Sequence, residues 1–169
     1  MRAVPAELRW FRLPTEPVLT DAQRALVAGL DAVLLRLQPA YVEPSGVRAI
    51  AQEDGKLRLE IDHHGDGGHL VALTGPDGYA SLHWPGGEEL DPDRLLATAE
   101  ALLTGRNRAL VSIVRGQITK SVTTLWDESG STWKTTMRVR HTLFPPIQRS
   151  RATVSFERPT MLGPVVPKP

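Results

Sequence analysis

Two groups of side chains in this 169-residue chain have types and spacings that could do chemistry. The first is the segment His63-His64-Gly65-Asp66-Gly67-Gly68-His69. Imidazole and carboxylate are sound ligands for zinc and other divalent ions, and the three glycines would let the backbone wrap an ion. The spacing matches none of the defined zinc patterns, and the same glycines suit a plain loop between two strands. No metal and no cofactor is assigned to it. The second group is a run of cations at alternating positions, Lys134, Arg138 and Arg140, which Arg149 and Arg151 extend. Alternation puts such residues on one face of a strand, and guanidinium clusters pair bidentately with carboxylates and phosphates.

Catalytic chemistry finds little else to use. His83 and His141 fall on expected strands and could serve as general bases, but a base needs a nucleophile or water beside it, and none can be named. No Gly-x-Ser-x-Gly elbow is present, and no glycine-rich phosphate loop ends in Lys-Ser or Lys-Thr. The paired acids Glu88-Glu89 and Asp91-Asp93 sit where a helix begins, which is where carboxylates favour the helix dipole without any catalytic role. With no cysteine in the chain, thiolate ligands, thiol nucleophiles and disulfides are excluded together. No catalytic residue is assigned.

Charge is the most informative global property. The net value of +1 conceals a split at Gly105: residues 1–105 hold 9 Lys and Arg against 16 Asp and Glu, a net of −7, and residues 106–169 hold 11 against 3, a net of +8. Such asymmetry points to an interaction face, or to two halves that attract each other within one fold. Sixteen of the 20 basic residues are arginine, as a GC-rich coding genome would also produce. Prolines and arginines interrupt the N-terminus, so no secretion signal is expected, and no apolar run approaches the ~20 residues needed to cross a bilayer. A cytoplasmic protein is the expectation.

The elements that must position these residues follow from periodicity. Residues 1–14 form an irregular arm carrying Trp10, Phe11 and Leu13, residues 15–158 a single domain, and residues 159–169 an extended proline-rich tail. Leu26, Val27, Leu30, Val33, Leu34 and Leu37 follow Thr20-Asp21 at helical spacing and end at Pro39. A second helix begins after Asp91-Pro92 and runs to Leu103, with Gly105 as its stop. Period-two segments at 47–53, 56–62, 69–74 and 79–84 lie between the helices, with Asp54-Gly55 at a two-residue turn and Val71, Leu73, Leu82 and Trp84 on one face. Further strands are expected at 108–115, 117–126, 132–144 and 150–158. The class is therefore α+β, antiparallel sheet packed against two helices in the order αββββ-αββββ.

Two-residue turns at Arg115-Gly116 and Ser129-Gly130 would set Ile113 opposite Ile118, Ala109 opposite Val122, Trp126 opposite Trp133 and Val122 opposite Met137. That register sends Val122, Trp126, Trp133 and Met137 to the core, isolates Lys120 as a misfit, and leaves Lys134, Arg138 and Arg140 outward among Thr and Ser. The function expected from it is a non-catalytic bacterial protein-binding domain, of the immunity-protein or secretion and assembly chaperone type, whose basic face engages an acidic protein. Nucleic acid ranks lower, because both tryptophans leave that face and take its stacking platforms with them. A homodimer through a sheet edge is a further expectation. The alternative is a small enzyme or ligand carrier with a cavity between sheet and helices and the histidine loop at its mouth.

Overall fold

The computed structural model describes residues 8–40, 42–62, 69–82, 89–114, 117–138 and 152–157. Two helices, α1 (Asp21–Leu37) and α2 (Pro92–Leu103), separate two antiparallel sheets. The first sheet has the order β1-β2-β3-β4-β5, from β1 (Val47–Ala51), β2 (Leu57–Asp62), β3 (His69–Thr74), β4 (Ala80–Leu82) and β5 (Glu89–Leu90). The second has the order β8-β7-β6-β9, from β6 (Asn107–Val114), β7 (Gln117–Trp126), β8 (Thr132–Arg138) and β9 (Ala152–Glu157). The α+β class and the rough element order are as expected from the sequence, with the short β5 added, and the strands divide into two sheets.

The helix α1 begins with a reciprocal cap. Thr20 Oγ1 accepts from the Gln23 amide at 3.2 Å, and Gln23 Oε1 accepts from the Thr20 amide at 3.1 Å. Both side chains also reach the first sheet, Gln23 Nε2 donating to the Gly55 carbonyl and the Thr20 hydroxyl to that of Pro76. The cap thus fixes where the helix meets two hairpin turns. Its apolar stripe, Leu26, Val27, Leu30, Val33 and Leu34, is buried. Gly29 permits close approach to the other helix: a Cβ there would lie 2.8 Å from a Leu96 methyl of α2.

Asp31 interrupts that stripe and is buried nonetheless. Its carboxylate accepts three consecutive amides of the N-terminal arm, from Arg9 at 3.1 Å, Trp10 at 2.7 Å and Phe11 at 3.0 Å. A buried charge is tolerated when hydrogen bonds replace its hydration, and these three do so. The clamp docks the arm on α1 and seats Phe11, 2% exposed, in the core.

The described hairpin turns share one design. Gln52-Gly55, Gly75-Gly78 and Asp127-Gly130 each close with the glycine amide donating to the first residue's carbonyl, and each glycine has positive φ, 81°, 87° and 86°. Each is a three-residue loop, a type I turn followed by a left-handed glycine, in place of the two-residue turns expected at 54–55 and 129–130. At each turn a one-residue difference from the expected loop, longer at 53–55 and 128–130 and shorter at 76–78, moves the partner strand by one position. Leu82 therefore lies opposite Ala72, on the face of Leu70 and Ala80 and away from Val71 and Leu73. Trp133 lies opposite Leu125, while Trp126 pairs with Thr132 and Val122 with Thr136. At Arg115-Gly116 two residues do separate the paired Val114 and Gln117, and Ile113 faces Ile118 as expected. A bulge between Ser112 and Ile113 then shifts the ladder, so that Ala109 meets Thr123 instead of Val122.

The helix α2 starts at Asp91, whose carboxylate accepts from the Arg94 amide at 2.9 Å, with Pro92 in the first turn. It buries Leu95, Thr98, Ala99, Ala101, Leu102 and Leu103, a wider arc than one interface needs. It contacts α1, β5 of the first sheet and β7 of the second, and its buried leucines share one core cluster with Leu57, Leu59, Ile61, Leu70, Ala72 and Leu125.

Candidate functional site

The observed register gives the second sheet two unlike faces. Toward α2 lie Asn107, Thr123, Leu125, Trp133 and Thr135, and Trp133 Nε1 donates to Thr98 Oγ1 at 3.1 Å while Arg94 stacks over its ring at 5.2 Å. The opposite face is ordered in rows across β6, β7 and β8. Trp126 and Thr132 form one row, then Arg108, Thr124 and Lys134, then Leu110, Val122 and Thr136. In the next row Lys120 stands between Ser112 and Arg138 in the ladder. A basic row, an apolar row and a second basic row thus succeed one another, neighbouring rows about 7 Å apart. Leu110 is 45% exposed in the middle row.

Of the residues expected to bind a partner, Lys134 is exposed on this face, and Arg138 closes β8 opposite Lys120. Arg140, Arg149 and Arg151 lie outside the described residues. Lys120 is no misfit, since the bulge and the three-residue loop put it, on the inner strand β7, on the same face as Lys134 of the edge strand β8. Trp126 also belongs to this outer face, which removes the separation of tryptophans from cations expected from the sequence. Lys120, Val122 and Trp126 were hidden from sequence reasoning by one-residue shifts; the signal for them was the five-residue spacing of the Asp127-to-Ser131 turn.

The two sheets treat their outer charges differently. On the first, Arg48 binds Glu60 at 2.7 Å and Asp62 at 2.9 Å, and Arg58 binds Glu60 at 2.6 Å, so cations and anions satisfy one another. On the second, no carboxylate among the described residues lies within ion-pair distance of Lys120 or Lys134. Lys120 and Lys134 therefore remain available to an external anion.

The hairpin carrying this face is anchored at its base. Glu100 of α2 binds Arg36 at 2.7 Å and Arg106 at 3.0 Å, and Arg106 reaches Glu128 in the turn at 3.4 Å. Asp127 accepts from the Ser129 hydroxyl at 2.6 Å and the Ser131 amide at 3.0 Å. The Ser129 hydroxyl is the main reason its carboxyl is held below the ordinary aspartate value, with backbone donors assisting. Asp54 in the first hairpin is lowered chiefly by its hydrogen bond with the Lys56 side chain.

His63, His64 and Asp66 lie outside the described residues, and of His69 only the backbone, opening β3, is described. Among the described residues no group of three His, Asp or Glu could hold a metal ion, and no helix is long and apolar enough to cross a membrane. No protein-family model, curated protein or solved structure matches the chain.

Proposed function

We propose that the chain is a non-catalytic protein-binding module, of the immunity-protein or assembly-chaperone type, whose outer face on β6, β7 and β8 receives an acidic segment of a partner protein. The observation that supports this reading is the presence of unpaired Lys120 and Lys134 on either side of the apolar Leu110–Val122 row, while the equivalent charges of the other sheet are internally paired. The two lysine rows are four residues apart along β7 and β8, or roughly 14 Å. A helix presenting Glu at i, Leu at i+4 and Glu at i+8 spans about 12 Å and would set its leucine on Leu110 between two ion pairs. Trp126 at the end of the face supports a second reading, in which a nucleobase stacks there and phosphates meet the lysines.

The test is a fluorescence-anisotropy titration with such a labelled helical peptide, in parallel with a labelled oligothymidylate. The module reading expects peptide binding that weakens with salt and falls at least about tenfold in Lys120→Glu with Lys134→Glu. Tighter binding of the oligonucleotide, abolished by Trp126→Ala, would replace the acidic protein with nucleic acid.

A further inference from the structure

We propose that the free edge of β1 is a second docking site, a slot in which an extended acidic peptide adds to the first sheet as a further strand. β1 pairs with β2 alone and stands at the end of its sheet. The Gln52 amide donates to the Lys56 carbonyl, so hydrogen-bonded pairs recur at Ile50 with Arg58 and at Arg48 with Glu60. Val47, Ala49 and Ala51 occupy the alternate positions and turn their N–H and C=O groups away from β2. The Val47 amide is used by the Pro44 carbonyl. Among the described residues, nothing bonds the backbone of Ala49 or Ala51 on that side.

A groove of about 680 Å³ runs along this edge, between it and the N-terminal arm, with Arg9, Trp10 and Arg12 on one wall and Pro44, Ala49 and Ile50 on the other. That volume is in the range of built ligand sites. Residues 9–11 of the arm cannot donate to β1, because the amides of Arg9, Trp10 and Phe11 are committed to Asp31. Among the described residues nothing fills the slot, and a slot open before its ligand arrives lowers the ordering cost of strand addition. The Trp10 indole N–H is buried without a partner, an unmet donor in one of the groove's wall residues.

Charge selects the occupant. Arg9 and Arg12 are exposed, and among the described residues no carboxylate pairs with either guanidinium. Arg48, by contrast, is held by Glu60 and Asp62. Acidic side chains on the incoming strand would meet Arg9 and Arg12, and its small apolar residues would lie against Ile50 and Pro44.

The probe is a capped, fluorescein-labelled peptide of alternating Val and Glu, titrated by anisotropy and by amide NMR, with the Val-Lys peptide as control. The expected result is saturable binding of the acidic peptide alone, with the Ala49 and Ala51 amides shifting most and the Lys134 amide unmoved. Ala49→Pro deletes an outward N–H and leaves the β1–β2 ladder its bonds, so it should keep the native circular dichroism and lose about tenfold in affinity. Arg9→Glu with Arg12→Glu alters only exposed guanidinium groups and should lose as much, which keeps the proposal testable if Ala49→Pro unfolds. Three results overturn it: no saturation by about 1 mM peptide, wild-type affinity in either variant, or a concentration-dependent dimer abolished by Ala49→Pro, which would make a second copy the occupant.

Discussion

Asp31→Ala tests the clamp that seats the arm, and its magnitude can be worked from the contacts. Of the three amides held by the carboxylate, those of exposed Arg9 and half-buried Trp10 regain water in part when the acceptor is lost, whereas that of Phe11 is covered. A hydrogen bond to a charged group contributes about 1.5–3 kcal/mol, and partial hydration of a loosened arm recovers some of it, leaving a loss of about 3–4 kcal/mol. For a chain of this size each kcal/mol moves the melting temperature by about 2–4 °C, so calorimetry should show a fall of about 6–16 °C. Phe11→Ala alone should cost about 3–5 kcal/mol, since the ring is 2% exposed. The double variant should lose much less than the sum, because either change releases the same arm. Asp31→Asn should fall between wild type and alanine: one oxygen can still serve Trp10 and Phe11, but an NH2 would meet the Arg9 amide. A melting temperature for Asp31→Ala within about 2 °C of wild type, or strict additivity with Phe11→Ala, would refute the clamp.

The shared turn design predicts unequal costs for glycine replacement. Gly130→Ala has open space around its Cβ and should lose only the left-handed strain of about 1–2 kcal/mol, whereas Gly78→Ala adds a contact at 3.3 Å with Ala22 and should lose more in urea unfolding. Equal losses would show that the Ala22 contact does not matter. For Asp127 the folded carboxyl titrates below the ordinary value of 3.8, so its contribution to stability is complete above that value and disappears as pH falls through the lower folded-state midpoint. Ser129→Ala should raise that midpoint in a carboxyl NMR titration; an unmoved midpoint would assign the effect to the backbone donors.

The helices were legible in the sequence because their signals are local. Thr20 with Asp21 and Asp91 with Pro92 mark starts whose geometry depends on three or four neighbouring residues. Strand positions were legible for the same reason, since alternation survives any register. Facing was not, because it depends on whether a turn holds two residues or three, and Asp54-Gly55 and Ser129-Gly130 fit either until the glycine's left-handed place is known. One miscounted residue exchanged Trp126 with the neighbouring Leu125 as the core residue. The bulge after Ser112 had no local signature at all. Lys134 lies outward in both registers, so its exposure was legible, whereas the role of Asp31 as an arm clamp joins residues about twenty positions apart and no spacing rule reveals it.

The most direct measurement of the central claim is an amide NMR titration of the full chain with the acidic helical peptide. If the outer face of the second sheet receives the partner, shifts will concentrate on Leu110, Lys120, Val122, Thr124, Lys134 and Thr136, and will vanish in Lys120→Glu with Lys134→Glu. Shifts confined to the first sheet, or unchanged in that variant, would contradict it.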